Sequence, residues 1–211
     1  MKGRWWVSAL AAAAFIVAGT SAEALSLRES NIVDLLRESN DIVVGQIQTV
    51  TDGIGERGIP YTEVTLTISE TIRGNLSGTY TFRQFGLLHP RTTKDGTMKM
   101  MPAPEGLPRY TPGQTNLLFL HPAAKLTGLR TTARLGNGKF AIGAGRVENE
   151  MANVGLFRNV RVEPGAATAA DKKMMSAEGV ANPDTFLSFV RRAVRERWVE
   201  AGRIARMPAG Q

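Results

Sequence analysis

The stretch that decides the fold is Tyr61–Gly86, YTEVTLTISETIRGNLSGTYTFRQFG. Val64, Leu66 and Ile68 alternate with Glu63, Thr65, Thr67 and Ser69. Successive side chains on a strand point to opposite faces, so this period of two sets one face in a core and the other in water. Arg73–Gly78 is rich in turn formers, and beyond it Tyr80 and Phe82 alternate with Thr79, Thr81 and Arg83. A strand, a short turn and a second strand of the same kind predict an antiparallel meander or barrel.

The pattern extends in both directions. Upstream, DIVVGQIQTV (Asp41–Val50) is β-branched and reads as a strand, and Thr51–Gly58 reads as its connecting turn. Before it, Ser26 and Glu29 have the spacing of a capping box, and Ile32, Leu35 and Leu36 share one face, which predicts a short helix ending near Ser39. The pentapeptide LRESN occurs twice, at Leu27–Asn31 and Leu36–Asn40, and matches no repeat architecture. Downstream, Gly86–Gly106 is a long excursion with a hairpin tip predicted at Lys94-Asp95-Gly96-Thr97. Pro112-Gly113 suits the centre of a type II turn, because proline presets φ and glycine accepts a positive φ. That turn feeds Leu117–Leu120, an apolar run without alternation, which predicts a strand buried on both faces between the barrel interior and a covering helix.

Further along, Gly136-Asn137-Gly138 reads as a hairpin turn joining strands within Leu126–Leu135 and Lys139–Ile142. Short strands are expected at Arg146–Glu150 and Val154–Arg158, and residues 163–181 read as a linker. From Asn182, a cap with proline at the first helical position opens an amphipathic helix whose stripe is Phe186, Phe189, Val190, Ala193, Val194 and Trp198. Arg191, Arg192 and Arg195 lie outside the stripe, which is expected to pack on the barrel rather than on a membrane surface. The expected fold is therefore mainly β: an OB-like antiparallel barrel over 25–162, a short N-terminal helix, and a C-terminal amphipathic helix over 182–206.

The N-terminus implies export. Lys2 and Arg4 precede a short apolar core, Val7–Ala18, and Ala22-Glu23-Ala24 has the form cut by signal peptidase. Residues 1–24 read as a signal peptide cleaved after Ala24, giving a periplasmic or secreted protein, and no later segment is apolar enough to span a bilayer. The chain has no cysteine, which excludes disulfides, thiol catalysis and Cys-ligated zinc. Its formal net charge is +7, with the basic residues spread out rather than clustered.

Four motifs, SNDIVVGQI, YTEVTLTISETIRGNLSGTYTFRQFG, GLPRYTPGQTNLLFL and GNGKFAIG, follow one another in this order. In this the chain resembles, from about residue 25 to 200, an uncharacterised family of bacterial exported proteins. That resemblance implies a short helix leading into a small OB-like barrel, followed by a helical segment. Some relatives are similar in outline to netrin and metalloproteinase-inhibitor modules, and some neighbour matrixin-type proteases. The chain departs from the inhibitor pattern in lacking an N-terminal cysteine, and from the protease pattern in lacking H-E-x-x-H. The resemblance implies no catalytic residues.

Nor do the residues themselves point to catalysis. The two histidines, His89 and His121, both sit in His-Pro dipeptides, and no G-x-S-x-G, P-loop or dinucleotide fingerprint occurs. A hydrolase using paired carboxylates would leave no spacing to read and stands as a third reading. The second is a periplasmic copper-like site of soft ligands, Met98, Met100 and Met101 with His89, whose alternative is that the methionines fill gaps under the loop. Tyr80, Phe82 and Arg83 resemble a nucleic-acid stacking face, but the two rings occupy the apolar phase of their strand, so no nucleic-acid partner is expected. The leading expectation is a cofactor-free, non-enzymatic binding or accessory module of the cell envelope. Its partner would be an envelope protein or an acidic envelope polymer. Loops held by a rigid sheet are the usual place for recognition, which singles out Arg91, Lys94, Lys99 and Arg109 as contacts.

Overall fold

A computed structural model describes residues 30–92, 96–99 and 101–208. The fold is mainly β, around one six-stranded antiparallel sheet in the order β3-β2-β1-β6-β7-β8. These strands are β1 (Asp41–Ile54), β2 (Pro60–Arg73), β3 (Thr79–Phe85), β6 (Thr115–Leu120), β7 (Lys139–Gly143) and β8 (Arg146–Asn149). Two small ribbons complete it: β4 (Arg91–Thr92) with β5 (Met98–Lys99), and β9 (Val160–Val162) with β10 (Ile204–Arg206). Among the described residues, three α-helices, α1 (Ile32–Glu38), α2 (Ala169–Ser176) and α3 (Pro183–Arg195), accompany the sheet.

Strand β1 pairs with β2 on one edge along most of its length and with β6 on the other through Asp41–Gln46. Serving two partners requires it to bend, and its register with β2 shifts at three places. Gly45 lies at one bend, where a β-carbon would fall 2.8 Å from the Thr67 carbonyl oxygen. In β2 the predicted phase holds: Val64 and Leu66 are fully buried, and Thr65 and Thr67 face outward. Closure of the sheet into the expected barrel is not among the described pairings.

The sheet is buried on both sides. On one face Ile42, Val44, Leu117, Phe119 and Phe140 pack with α1, with Phe186, Phe189 and Val190 of α3, and with Trp198. On the other, Val43, Ile47, Val64, Leu66, Phe82, Leu118 and Leu120 form a second core. The unalternating Leu117–Leu120 run divides between the two, as a strand covered on both faces must. The α3 stripe packs on this sheet as expected.

Several local expectations are corrected. The capping box that opens α1 is Asn31 with Asp34, while Ser26 and Glu29 lie outside the described residues. Gly136–Gly138 is not a hairpin turn but part of a 3₁₀ turn, Leu135–Gly138. Its glycines serve close approach: a β-carbon on Gly138 would lie 2.2 Å from the Ala133 carbonyl oxygen. Leu126–Leu135 forms no strand of its own: Thr132 makes an isolated bridge to Leu120, and the Arg130 and Ala133 N–H groups donate to the Arg83 and Phe119 carbonyls. Val154–Arg158 is a series of tight turns rather than a strand, with Ala152, Asn153 and Asn159 at positive φ. The presumed linker carries α2, capped by Thr168 and Asp171, and Arg192 of α3 pairs with the buried Asp171. The expected long C-terminal helix ends at Arg195, and the chain returns as β10 because β9 offers it a pairing edge.

Candidate binding groove

The loop from Met101 to Gln114 is tied to the sheet along its length, for reasons visible in its residues. The chain leaves β3 at Gly86, where φ is +107° and a β-carbon would meet the Ala103 backbone of this loop at 2.4 Å, so only glycine lets the two segments touch. Leu87 N–H donates to the Met101 carbonyl at 2.8 Å. Gly106 carbonyl accepts from Gly136 N–H at 2.8 Å, and Pro108 carbonyl accepts from Gln84 Nε2 at 2.9 Å. Arg109 N–H donates to Glu150 Oε1 at 2.8 Å. The loop ends in the predicted type II turn, with Gly113 at φ +82° and Gln114 N–H on the Thr111 carbonyl. Prolines and hydrogen bonds together hold this loop in one conformation, so whatever it encloses is pre-formed.

It encloses a groove of about 700 Å³, walled by Val50, Leu88 and Pro104 and lined by Gln84, Tyr110 and Glu150. That volume is in the range of small-ligand sites. A smaller cavity of about 190 Å³ adjoins it, sharing Gly106 and Glu150.

The groove rests on polar groups whose hydrogen bonds are incomplete. Gln84 is 3% exposed and Tyr110 is 9% exposed, and among the described residues neither Gln84 Oε1 nor the Tyr110 hydroxyl has a hydrogen-bond partner. Burial, reinforced by Glu150, raises the Tyr110 phenol well above its ordinary range, so it stays neutral. Lys139 of β7 is 7% exposed, with its ammonium 5.7 Å from the centre of the Tyr110 ring and 3.7 Å from Glu150 Oε1. That separation is an ion pair but beyond hydrogen-bond length. Burial pulls the Lys139 ammonium below its ordinary value, and Glu150 offsets part of the effect.

The residues expected to make contacts are placed unevenly. Arg109 is exposed on the groove rim. Arg91 is not free: its Nε donates to Asp52 Oδ1 at 2.9 Å and its terminal nitrogen to the Asp52 carbonyl at 3.0 Å. Asp52 also accepts from the backbone N–H groups of Leu88 and His89 at 2.7 and 2.9 Å. Burial pushes its carboxyl up, but these donors together outweigh burial and hold it below the usual range. Arg91 therefore pins the loop rather than offering charge to a partner. Lys94 lies outside the described residues; Lys99 pairs through its backbone with Arg91 across the small hairpin.

Of the soft-ligand candidates, Met98 and Met101 are 71% and 41% exposed, which corrects the expectation that they fill gaps under the loop. Met100 lies outside the described residues, and His89 is exposed. Among the described residues no group of three or more histidine, aspartate or glutamate side chains is placed to hold a metal. His121 Nδ1 sits 3.0 Å from the Glu38 carbonyl, which fixes its ring against α1.

Sequence reasoning reached the loop but missed Gln84, Lys139 and Glu150. They come from three different elements, and none carries a local pattern. Lys139 had one available sign, a lysine directly before an apolar strand segment. Comparison of the chain with protein-family models, curated proteins and solved structures finds no match.

Proposed function

We propose that the protein is an exported, non-enzymatic binding module of the cell envelope, and that its ligand occupies the groove beneath the Met101–Gln114 loop. The observation that carries this reading is a pre-formed groove of about 700 Å³ beneath a loop held by prolines and backbone hydrogen bonds, with the exposed Leu88 and Arg109 at its wall and rim. An OB-like reading of the sheet is supported by β1 pairing with both β2 and β6, with β7 next to β6. Among the described residues no helix is long and apolar enough to cross a membrane, which is compatible with an exported module.

The test has two parts. Mass spectrometry of the exported protein should find Leu25 at the N-terminus; residues 1–24 still attached would defeat the export reading. Immobilised mature protein should then capture an envelope component, and Leu88→Glu at the groove wall should weaken that capture with little change in melting temperature. Capture that survives Leu88→Glu but is lost when Arg191, Arg192 and Arg195 are replaced by alanine would move the site to α3.

A further inference from the structure

Strand β1 is longer than the partner it has on one side, and the surplus runs along the groove. β6 pairs with it through Asp41–Gln46. One step further, Ile47 N–H donates to the Gln114 carbonyl at 3.0 Å, and the Ile47 carbonyl accepts from Gly113 N–H at 2.8 Å. There the chain turns away at Pro112-Gly113, while β1 continues to Ile54 against β2.

Which backbone groups face the vacated side follows from the ladder. Alternate residues of an antiparallel strand point their N–H and C=O towards opposite neighbours. Gly55 N–H donates to the Ile59 carbonyl at 2.9 Å, so Gly55 faces β2, and with it Gly53 and Thr51. Val50 and Asp52 then face the other way. The Asp52 carbonyl agrees, since it accepts from Arg91 at 3.0 Å. Ile47 shares this orientation because the register slips between Ile47 and Thr49. Among the described residues the Val50 N–H and carbonyl and the Asp52 N–H have no hydrogen-bond partner.

The other edges of the sheet are treated differently. On β8, Val147 exchanges both bonds with Ala181, and Asn149 N–H donates to Asn153 Oδ1. On β3, the Arg83 carbonyl accepts from Arg130 N–H, and the outward-facing Thr79 and Thr81 are open to water. Val50 instead lines the groove together with Leu88, Pro104, Leu107 and Pro108. Those walls offer apolar contact, and the prolines have no N–H to give. The strand edge beside them offers a donor and an acceptor at backbone spacing. An extended polypeptide carries the complementary pair on every second residue, with side chains to lay on apolar walls. At the rise of a strand, Ile47 to Asp52 spans about 16 Å, the length of about four or five residues.

We propose that the groove takes an extended segment of another polypeptide, which adds to β1 as a strand at Val50–Asp52, in the place β6 leaves beyond Gln114, and rests apolar side chains on Leu88 and Pro104. This depends on the groove reading above and names the class of its partner.

The probe is a set of acetylated hexapeptide amides in which Thr alternates with Val, Leu, Ile or Phe, titrated into the mature protein with its backbone amides followed by NMR. At least one should bind, shifting the Val50 and Asp52 amides and slowing their hydrogen exchange. N-methylation deletes one N–H and keeps every side chain; it should weaken that peptide about tenfold or more at alternate positions and little between them. Binding by no member of the set overturns the proposal, as does an N-methyl effect without alternation. Protection of Thr79 and Thr81 in place of Val50 puts the added strand on β3 and overturns it too. Protection of Val50 without peptide, rising with protein concentration, makes a second copy the occupant and has the same consequence. If no peptide binds while Leu88→Glu still weakens envelope capture, the groove reading stands and the polypeptide partner falls. If a peptide binds with the expected alternation while Leu88→Glu leaves envelope capture unchanged, the strand site stands and the envelope role falls.

Discussion

Replacing Lys139 by methionine should stabilise the protein, and the size of the effect follows from its surroundings. The attraction lost is that of Glu150 at 3.7 Å. At the effective dielectric constant of about 20 that suits such sites, it is worth about 4 kcal/mol. The desolvation cost regained is several kcal/mol for an ion this buried, and Glu150 offsets only part of it, since the ammonium still lies below its ordinary value. Methionine keeps the apolar stem against Tyr110. The surplus is about 1–2 kcal/mol in favour of the variant. The pH dependence gives an independent check. The ammonium is held below its ordinary 10.5, so approaching that value the unfolded chain binds more protons than the folded one. Stability of the wild type should therefore rise with pH over that interval, and the variant should lack the rise. Urea denaturation at several pH values between 7 and 10 measures both, and avoids the higher range where the raised Tyr110 acts in the opposite sense. A Lys139→Met variant less stable than wild type by about 1 kcal/mol or more at neutral pH would show that Glu150 fully compensates the burial of the lysine, and this reasoning would fail.

Arg130→Met should cost about 3–5 kcal/mol in the same assay, because among the described residues it strands the buried Asp41 carboxylate with Asn40 as its remaining side-chain donor; a cost under about 1 kcal/mol would mean water reaches that pair. Leu66→Asp and Leu118→Asp should each abolish folding and Thr65→Asp should cost little, and equal severity at Thr65 and Leu66 would refute the assigned strand phase. Asp52→Asn should weaken protection of the Leu88 and His89 amides in hydrogen exchange at neutral pH. In the wild type, the carboxyl's contribution should be present above its ordinary 3.8 and lost only as pH falls through its lower folded value, so acid and the substitution should converge. Titration with Cu(I) should give no tight stoichiometric binding; affinity lost on replacing Met98 and Met100 together would instead establish a metal site.

The sequence alone was enough wherever a residue's role depends on its neighbours in the chain. The alternation of Val64, Leu66 and Ile68 reports a half-buried strand, the unbroken Leu117–Leu120 run reports burial on both faces, and Pro112-Gly113 dictates its own turn. Each rests on a backbone period or a dihedral preference that acts within a few residues. Local signals failed where distant segments touch. Gly136-Asn137-Gly138 has the composition of a hairpin, but its backbone is needed against Ala133, and that contact overrides the turn preference. The cap of α1 moved to Asn31 because the side chain that meets the helix N–H groups is settled by how the helix docks, with Asn31 also donating to the Arg158 carbonyl. The groove is the extreme case. Gln84, Tyr110, Lys139 and Glu150 belong to β3, the proline-rich loop, β7 and the residue after β8, and no spacing in the chain relates them. Only the sheet order, which places β7 between β6 and β8, brings the Lys139 ammonium beside the Tyr110 ring and the Glu150 carboxylate, and only burial there holds that ammonium below its ordinary range.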